Sequence, residues 1–274
     1  MQDACGGGSG FAPGGRAVRT VSRIISLAPT QTEIVAALDR LGNLIGVTEN
    51  CDFPDGVEHI PRFGSWYAPD LRRVIAAAPD LVCTFGSHHE EVRDTLLEAG
   101  ISVVHGDPKS VRESLEAILE LAEILDCQDV GATLVEGLQE RLERVDRFVH
   151  DTGPALRPMV FRIMHWKPLI TVGSGSFQHD AVERAGGRNL MGDGPAPYYV
   201  CDPTAVRSRN PEVIFFCEPF IKPLLEKDPL WREIRAVRNG RVHVYDCGLT
   251  CRSGPRIVDM VERLCEALYP GCAL

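Results

Sequence analysis

Short apolar runs alternate with stretches of helical spacing along the first half of the chain. The run RIISLA at 23–28 is rich in Ile and typical of a buried strand. The next stretch, 30–42, has apolar residues every three or four positions and predicts a helix, with Thr30 and Glu33 forming a capping box. Further elements continue the alternation, with strands at 44–48, 79–85 and 101–106 and helices at 71–78, 89–100 and 111–125. This order predicts a parallel sheet covered by helices on both faces.

The second half of the chain repeats the pattern of the first. VIAAAPDLVCTF at 74–85 matches VRSRNPEVIFFC at 206–217 with a constant offset of 132, and IISLAPTQTEIVAAL at 24–38 matches ITVGSGSFQHDAVERA at 170–185. The second-half elements are strands at 158–163, 169–173, 210–218 and 241–246 and helices at 175–187, 228–234 and 254–270. A duplicated α/β unit explains the repetition.

A helical pattern between the halves runs without a break for about 21 residues, or about 30 Å. The sequence therefore predicts an α/β fold of two Rossmann-like lobes with central parallel sheets, joined by a single long helix. The predicted boundaries are a flexible N-terminal segment at 1–21, a first lobe at 22–126, the helix at 127–152 and a second lobe at 153–274. The Gly-rich start has no apolar core of the kind a signal peptide carries.

Charge and motif content narrow the function. The chain has 274 residues with 29 Lys+Arg against 38 Asp+Glu, a net charge of -9, which argues against a nucleic acid or an anionic membrane as partner. No apolar run approaches the ~18 residues that a transmembrane helix needs. Nucleophile-elbow, phosphate-loop and zinc-protease motifs are absent from the sequence, and we expect a protein that is not an enzyme.

Cysteines and histidines offer candidate metal ligands. Ten cysteines occur without a C-x-x-C pair, and the turn residues beside Cys247 and Cys251 predict a loop there. Structural thiols are the main expectation, with disulfides or a metal site as alternatives. The histidines at predicted strand ends are read as solvated or capping residues, so no metal site is expected: His88, His89, His105 and His165.

Aromatic residues are scarce at 7%, and several lie on loops between predicted elements. Their placement in both halves fits two jaws that close on a flat, apolar ligand, although each ring can equally cover the core of its own lobe. Arg252 offers a donor to an anionic ligand group, and Arg256 can pair with its own helix. The aromatic and histidine candidates are Phe53, Trp66 and Tyr67 in the first half and His165, Trp166, Tyr198 and Tyr199 in the second.

Two long segments carry a family resemblance, and these are RIISLAPTQTEIVAALDRLGNLIGVT and VRNGRVHVYDCGLTCRSGPRIVDMVERLCEALYP. They are similar to the opening strand, helix and strand and to the C-terminal end of the substrate-binding proteins of ABC importers that carry cobalamin, iron-siderophores or haem. NCDFP followed by IPRFGSWYAPDLRRVIAAAPDLV resembles the cobalamin-binding branch. The resemblance implies a bilobed protein with little lobe movement that captures a corrinoid, most simply cobalamin, between its lobes and delivers it to an ABC importer. That corrinoid would be bound cargo and not a catalytic cofactor.

The resemblance also implies roles for particular residues. Trp66 would stack on the ligand with Phe53 beside it, Ile170 and Tyr198 would face it from the second lobe, and Arg252 would donate to it. Acidic residues on the two lobes would dock onto the permease, and these are Glu90 and Glu218. A monomer outside the cytoplasm, periplasmic or tethered to the membrane, is implied as well.

Three features keep other functions open. The missing leader pattern is compatible with a cytosolic corrinoid or metal-cofactor chaperone, or an enzyme. The expected position of Cys201, Cys217, Cys247 and Cys251 near the cleft suggests thiolate ligation of a metal or of corrinoid cobalt as a hypothesis. A haem or ferric-siderophore cargo is the alternative within the same fold, with ligands drawn from Tyr198, Tyr199 and His165 for haem or Arg62, Arg207, Arg209 and Arg252 for a siderophore.

Overall fold

Two four-stranded parallel sheets form the centres of two lobes. The computed structural model describes residues 21–272, so the predicted flexible segment lies, apart from Val21, outside the described residues. The first sheet has the order β2-β1-β3-β4 and consists of β1 (Ile24–Ser26), β2 (Leu44–Val47), β3 (Leu81–Phe85) and β4 (Val103–Gly106). The second has the order β10-β9-β5-β7 and consists of β5 (Met159–Arg162), β7 (Arg188–Asn189), β9 (Val213–Phe216) and β10 (Val242–Val244). A separate two-stranded antiparallel ribbon pairs β6 (Ile170–Val172) with β8 (Tyr198–Val200).

Helices cover both faces of the sheets and connect the lobes. Those of the first lobe and the connection are α1 (Pro29–Ala37), α2 (Leu71–Ala76), α3 (Glu90–Glu98), α4 (Val111–Ile124) and α5 (Gln128–Thr152). Those of the second lobe are α6 (Phe177–Arg184), α7 (Pro203–Arg209), α8 (Ile221–Lys227), α9 (Arg235–Arg238), α10 (Cys247–Thr250) and α11 (Ile257–Leu268). Within residues 21–272, no helix combines the length and apolarity needed to cross a bilayer.

The two sheets share one strand topology. In the first sheet, β1 lies between β2 and β3, and β4 is the outer strand beside β3. In the second sheet, β5 lies between β7 and β9, and β10 is the outer strand beside β9. Starting positions also repeat, because α2 and β3 begin at 71 and 81 and α7 and β9 begin at 203 and 213, an offset of 132 in both cases. The parallel sheets and the duplicated unit predicted from the sequence are therefore confirmed.

One predicted correspondence between the halves is wrong. The match of 24–38 with 170–185 equated β1 with β6, but β5 takes the place of β1 in the second sheet. β6 instead pairs with β8 at the edge of that lobe. The sequence did not predict β8, because Gly194, Pro195 and Pro197 precede it and favour a turn.

Two local predictions also differ from the structure. α1 begins at Pro29 after an Ala28 N-cap with no side-chain cap, so Thr30 and Glu33 do not form a capping box. The predicted helix at 228–234 is a series of turns, and the helix lies just before it, at α8. Trp231 within those turns is buried, so its apolar side chain contributes to the core although the segment is not a helix.

α5 spans about 38 Å and is packed along its length. Its buried residues recur every three or four positions and contact α4 and α11. A single cluster of buried side chains includes residues of both lobes, such as Ile34 of α1 and Phe215 of β9. The lobes are thus joined by a shared core as well as by a helix, and this limits their relative movement.

The α4–α5 crossing depends on Gly131. A Cβ atom at this position would lie 2.4 Å from the Cβ of Ala122, so the two helices approach more closely than a side chain allows. Gly137 lies on the exposed face of the same helix, and a Cβ there would meet nothing within 4 Å.

We expect opposite effects from alanine at these two glycines. Gly137→Ala should raise the free energy of unfolding by about 0.8–1 kcal/mol through helix propensity. Gly131→Ala should lower it by about 1–3 kcal/mol, because overpacking outweighs the same propensity gain. Urea denaturation measures both. Equal stabilisation by the two substitutions would contradict the close crossing.

Candidate ligand-binding cleft

An aromatic cluster stands at the carboxyl edge of the first sheet. The loop after β2 carries Trp66, and its backbone N–H donates to Asn50 Oδ1 at 2.7 Å. The Trp66 ring lies 4.7 Å from the ring of Tyr67 and 5.3 Å from that of His88, measured between centroids. Tyr67 is 75% exposed, and Trp66 is half-buried. The structure therefore presents an accessible aromatic surface on this lobe.

His89 fixes the position of this cluster. Its Nδ1 accepts from the Phe85 backbone N–H at 3.3 Å, so its Nε2 carries the proton and donates to the Trp66 carbonyl at 2.7 Å. The bond that Nδ1 accepts requires the neutral ring, because a protonated Nδ1 cannot accept. Burial, opposed by the bond to Trp66, lowers the pKa of His89. The residue is a positioning group for the Trp66 loop that the sequence did not identify.

The β6–β8 ribbon supplies an apolar face in the second lobe. Ile170 pairs with Val200, and Val172 pairs with Tyr198, which places all four side chains on one face of the ribbon. Val200 is 62% exposed and Tyr198 is 44% exposed. The Tyr198 hydroxyl donates to Gln178 Oε1 at 2.8 Å. Desolvation of this hydroxyl, together with the carboxylate of Asp107 at the end of the first sheet, raises the pKa of Tyr198.

Three other aromatic and histidine candidates make contacts within their own lobe. Trp166 packs on Trp231, with ring centroids 5.4 Å apart, at the edge of the second-lobe core. The Tyr199 hydroxyl donates to the Met191 carbonyl at 2.8 Å, on the opposite face of the ribbon from Tyr198. His165 is exposed, and its Nε2 lies 2.8 Å from the Lys167 carbonyl oxygen.

An ion-pair network joins the lobes beside the aromatic cluster. The Glu33 side chain is 1% exposed and accepts from Arg252 at 2.7 Å and from Arg256 at 2.7 and 2.9 Å. Arg252 also pairs with Asp52 at 2.7 Å. The Phe53 ring lies over the Arg256 guanidinium, 4.1 Å from ring centroid to Cζ. Arg252 thus forms ion pairs with two carboxylates of the first lobe. These pairs use N–H groups that the sequence analysis expected to donate to a ligand.

Three cysteines meet at the carboxyl edge of the second sheet. The predicted loop around Cys247 and Cys251 is wrong, because α10 forms a helical turn that brings both thiols beside Cys217 at the end of β9. The three sulfur atoms lie within 4.8 Å of one another. Cys201, expected in the same region, is buried in the second-lobe core.

A buried arginine borders the three thiols. Arg162, the last residue of β5, is 0% exposed, and its Nη2 lies 3.3 Å from the sulfur of Cys251. Hydrogen bonds with the thiols of Cys217 and Cys247, with help from the Arg162 charge, lower the pKa of Cys251. Hydrogen bonds with the thiols of Cys217 and Cys251 raise the pKa of Cys247. A lone arginine in the apolar run PMVFRIM is the signal by which the sequence marks this position.

The candidate histidines do not converge on a common point. His89 is bonded to the Trp66 loop, and His105 Nδ1 lies 2.9 Å from the Thr84 hydroxyl. In the part of the chain that the structure describes, the three cysteines are the one group of histidine, cysteine and acidic residues placed closely enough to hold a metal ion.

The two candidate docking glutamates lie on different lobes. Glu90 is the first residue of α3 and is exposed. Glu218 follows β9 and is half-buried, and its Oε2 has no hydrogen-bond partner among the described residues. Neither carboxylate forms an ion pair with another residue within 21–272.

Two α/β lobes that share a core, each with an accessible apolar or aromatic surface, have the architecture of a two-lobed binding protein. A family model described as periplasmic binding protein matches residues 24–247, and the chain belongs to this family. Members of the family bind solutes, which agrees with the expectation that the chain is not an enzyme.

Relatives with assigned names point to ABC importers. The vitamin B12-binding protein of Vibrio cholerae is 27% identical over 252 residues, covering 90% of this chain and 88% of the relative. The crystal structure of that organism's periplasmic vitamin B12-binding protein superposes with a TM-score of 0.80 at 25% identity, covering 90% of this chain and 96% of that one. An uncharacterised ABC transporter substrate-binding lipoprotein of Bacillus subtilis, YvrC, is 28% identical over 253 residues, covering 90% of this chain and 80% of the relative.

A haem-binding protein shares the fold to the same degree. The periplasmic haem-binding protein RhuT of Roseiflexus sp. has a TM-score of 0.79 at 21% identity, covering 90% of this chain and 98% of that one. The family resemblance and the fold expected from the sequence are thus confirmed, and the chain is a substrate-binding protein of the ABC-importer type.

Removing the charge of Glu33 should destabilise the protein strongly. Glu33→Gln leaves the partly buried Arg252 and Arg256 without their shared carboxylate, and we expect a loss of about 3–5 kcal/mol in the free energy of unfolding. Glu116→Gln is the control, because Glu116 pairs with Arg112 on the exposed face of α4 and should change stability by no more than about 0.5 kcal/mol. Urea denaturation compares the two, and equal small losses would show that the buried network does not stabilise the lobe junction.

Stability should fall on acidification because of His89. The unfolded state protonates a histidine as the pH drops through about 6.5, whereas burial keeps His89 neutral to a lower pH in the folded state. The wild type therefore loses stability from about pH 6.5 downward, until the folded state also takes up the proton. The variant His89→Gln lacks this contribution and should lose less stability over the same pH interval. Parallel pH profiles of the two unfolding free energies would contradict this assignment.

Proposed function

We propose that the protein captures a corrinoid, in the simplest case cobalamin, between its lobes and delivers it to an ABC importer. The observation that carries the proposal is an accessible apolar surface on each lobe, the Trp66–Tyr67 cluster on one and the β6–β8 face on the other. The likeness to vitamin B12-binding relatives over 90% of the chain supports the choice of ligand.

Each lobe contributes a different kind of contact in this proposal. Trp66 stacks on the corrin ring, and Tyr67 and Phe53 extend its contact surface. Tyr198, Ile170 and Val200 cover the opposite face through apolar area, while the engaged hydroxyl of Tyr198 remains on Gln178. Arg252 keeps its pairs with Glu33 and Asp52 and contributes remaining N–H groups at the rim. Three further residues act indirectly, since their contacts lie within their own lobe, and these are His165, Trp166 and Tyr199.

Delivery requires a permease, and the proposed docking residues are Glu90 and Glu218. Their places on separate lobes would allow the permease to contact both lobes at once. A location outside the cytoplasm follows from this role, and a lipoprotein of Bacillus subtilis among the relatives supports it.

A haem or ferric-siderophore cargo is the second candidate. It is favoured by Tyr198, an exposed phenol on the ligand-facing side of the ribbon, because tyrosine ligates haem iron in some proteins. Burial of the hydroxyl, together with the Asp107 carboxylate, raises the pKa of Tyr198 and opposes formation of the phenolate, so the corrinoid remains the leading proposal.

Calorimetric titration with cyanocobalamin tests the proposal. We expect one-to-one binding with a sub-micromolar dissociation constant. Trp66→Ala should weaken it by about 30-fold or more, since truncation of a central aromatic contact costs about 2 kcal/mol or more. Leu119→Ala is the matched control, because Leu119 is an exposed apolar residue on α4 in the connecting region. Haemin and a ferric siderophore are titrated in parallel. Heat from either of these, with none from cyanocobalamin, would replace the cargo.

A further inference from the structure

The three thiols at the edge of the second sheet have the separation of metal ligands. The sulfur atoms of Cys217 and Cys251 lie 3.8 Å apart, and that of Cys247 completes a group within 4.8 Å. Two thiolates bound to one zinc ion at about 2.3 Å in a tetrahedral arrangement lie about 3.8 Å from each other. None of the three cysteines forms a disulfide. Their sulfur–sulfur distances are those of thiolates that share one metal ion.

The local fold holds the three sulfur atoms in place before any ion binds. Cys217 continues from β9, the neighbour of β5 and β10 in the sheet. Cys247 and Cys251 stand one helical turn apart, and the Cys251 backbone N–H donates to the Cys247 carbonyl at 2.9 Å. Asp246 caps the turn by accepting from the Gly248 N–H at 2.7 Å. A preformed site of this kind loses little conformational entropy when it takes up an ion.

Arg162 is an independent sign that the site is built for negative sulfur. Its guanidinium is fully buried, and no carboxylate within the described residues lies within ion-pair distance of it. Its Nη2 is instead 3.3 Å from Cys251 Sγ, 3.8 Å from Cys217 Sγ and 3.2 Å from the Thr250 hydroxyl. Its other partners, the Ile163 carbonyl at 3.0 Å and the Phe215 ring, are neutral and leave the buried charge uncompensated, whereas thiolates would compensate it.

We propose that Cys217, Cys247 and Cys251 bind a divalent, thiophilic metal ion of the zinc class as three thiolates. The charges of three thiolates, one divalent ion and Arg162 cancel, which a partly buried site favours. Sulfur ligands select soft and borderline metals over Mg²⁺ or Ca²⁺. Three protein ligands leave a fourth tetrahedral position open for water or for a donor atom of an incoming molecule.

The metal of a macrocyclic cargo fits this site less well than a free ion. A macrocycle occupies the equatorial positions of its metal and leaves only axial ones, as haem does. One thiol of the three could then reach the metal, and the other two would have no partner. The proposal is therefore independent of the cargo in the cleft.

Titration of the reduced protein with Cd²⁺ tests the proposal, because cadmium thiolates absorb in the ultraviolet. We expect one ion per chain, with displacement by Zn²⁺. Each of Cys217→Ser, Cys247→Ser and Cys251→Ser should weaken binding at least tenfold and remove about one third of the thiolate absorbance. Cys272→Ser is the matched control, since Cys272 is a half-buried thiol near Cys265 and outside the group. Arg162→Gln should weaken binding by about 10- to 100-fold, as outer partners of metal ligands do.

Several results would overturn the proposal. One is that Cd²⁺ added to the reduced wild-type protein produces no cadmium-thiolate absorbance. Another is that the wild type and all three serine variants bind Cd²⁺ with equal affinity. A third is a hydroxocobalamin spectrum that changes on binding to the wild type but not to the serine variants, without Cd²⁺ binding, because that result assigns a thiol to corrinoid cobalt. The Cd²⁺ titration uses no corrinoid, so failure of cobalamin binding leaves its outcome intact.

Discussion

The buried carboxylate of Glu33 is the constraint on which the relation between the lobes depends. It lies on the first helix of the first lobe and accepts hydrogen bonds from two arginines that precede the last helix, α11. A carboxylate with 1% exposure requires this compensation, and the arginines require the carboxylate in turn. The network fixes the Cys251–Arg256 segment against the first lobe, while the shared apolar core fixes α5 and α11. The relative position of the lobes is therefore set by packing and charge together, and large hinge movements would break both.

Within that fixed frame, the two accessible surfaces that we propose to line the cleft differ in their chemistry. The first lobe uses rings held by a neutral histidine, so its surface depends on hydrogen bonds to a loop backbone. The second lobe uses a short ribbon whose alternation places Tyr198 and Val200 outward and Tyr199 inward. In the proposed binding mode, stacking on the rings of the first lobe orients a flat ligand, and apolar contact with the ribbon tolerates the ligand's substituents.

The sheets and long helices could be predicted from the sequence because their signals are local. The run at 79–85 and the offset of 132 are visible without tertiary information, and the structure confirms them. The site was harder to predict. Glu33 has the spacing of a capping residue, but its partners lie 219 and 223 positions further along the chain. β8 has three residues after a Pro-rich turn, and α10 has four residues including a glycine, so the tertiary contacts around them decide their conformation.

The charge of Arg162 determines which chemical form of the three neighbouring cysteines the structure favours. A buried guanidinium stabilises thiolate sulfur but gains nothing from a disulfide, whose atoms carry no charge. Stabilising the reduced form in this way raises the reduction potential of a cysteine pair, as in oxidoreductases whose reduced form is favoured. Oxidation of Cys217 with Cys251 would also leave Arg162 buried without an anion, at a considerable cost in stability. The arginine therefore favours sulfur that remains available as a ligand, and this makes metal binding more consistent with the structure than a disulfide at the same place.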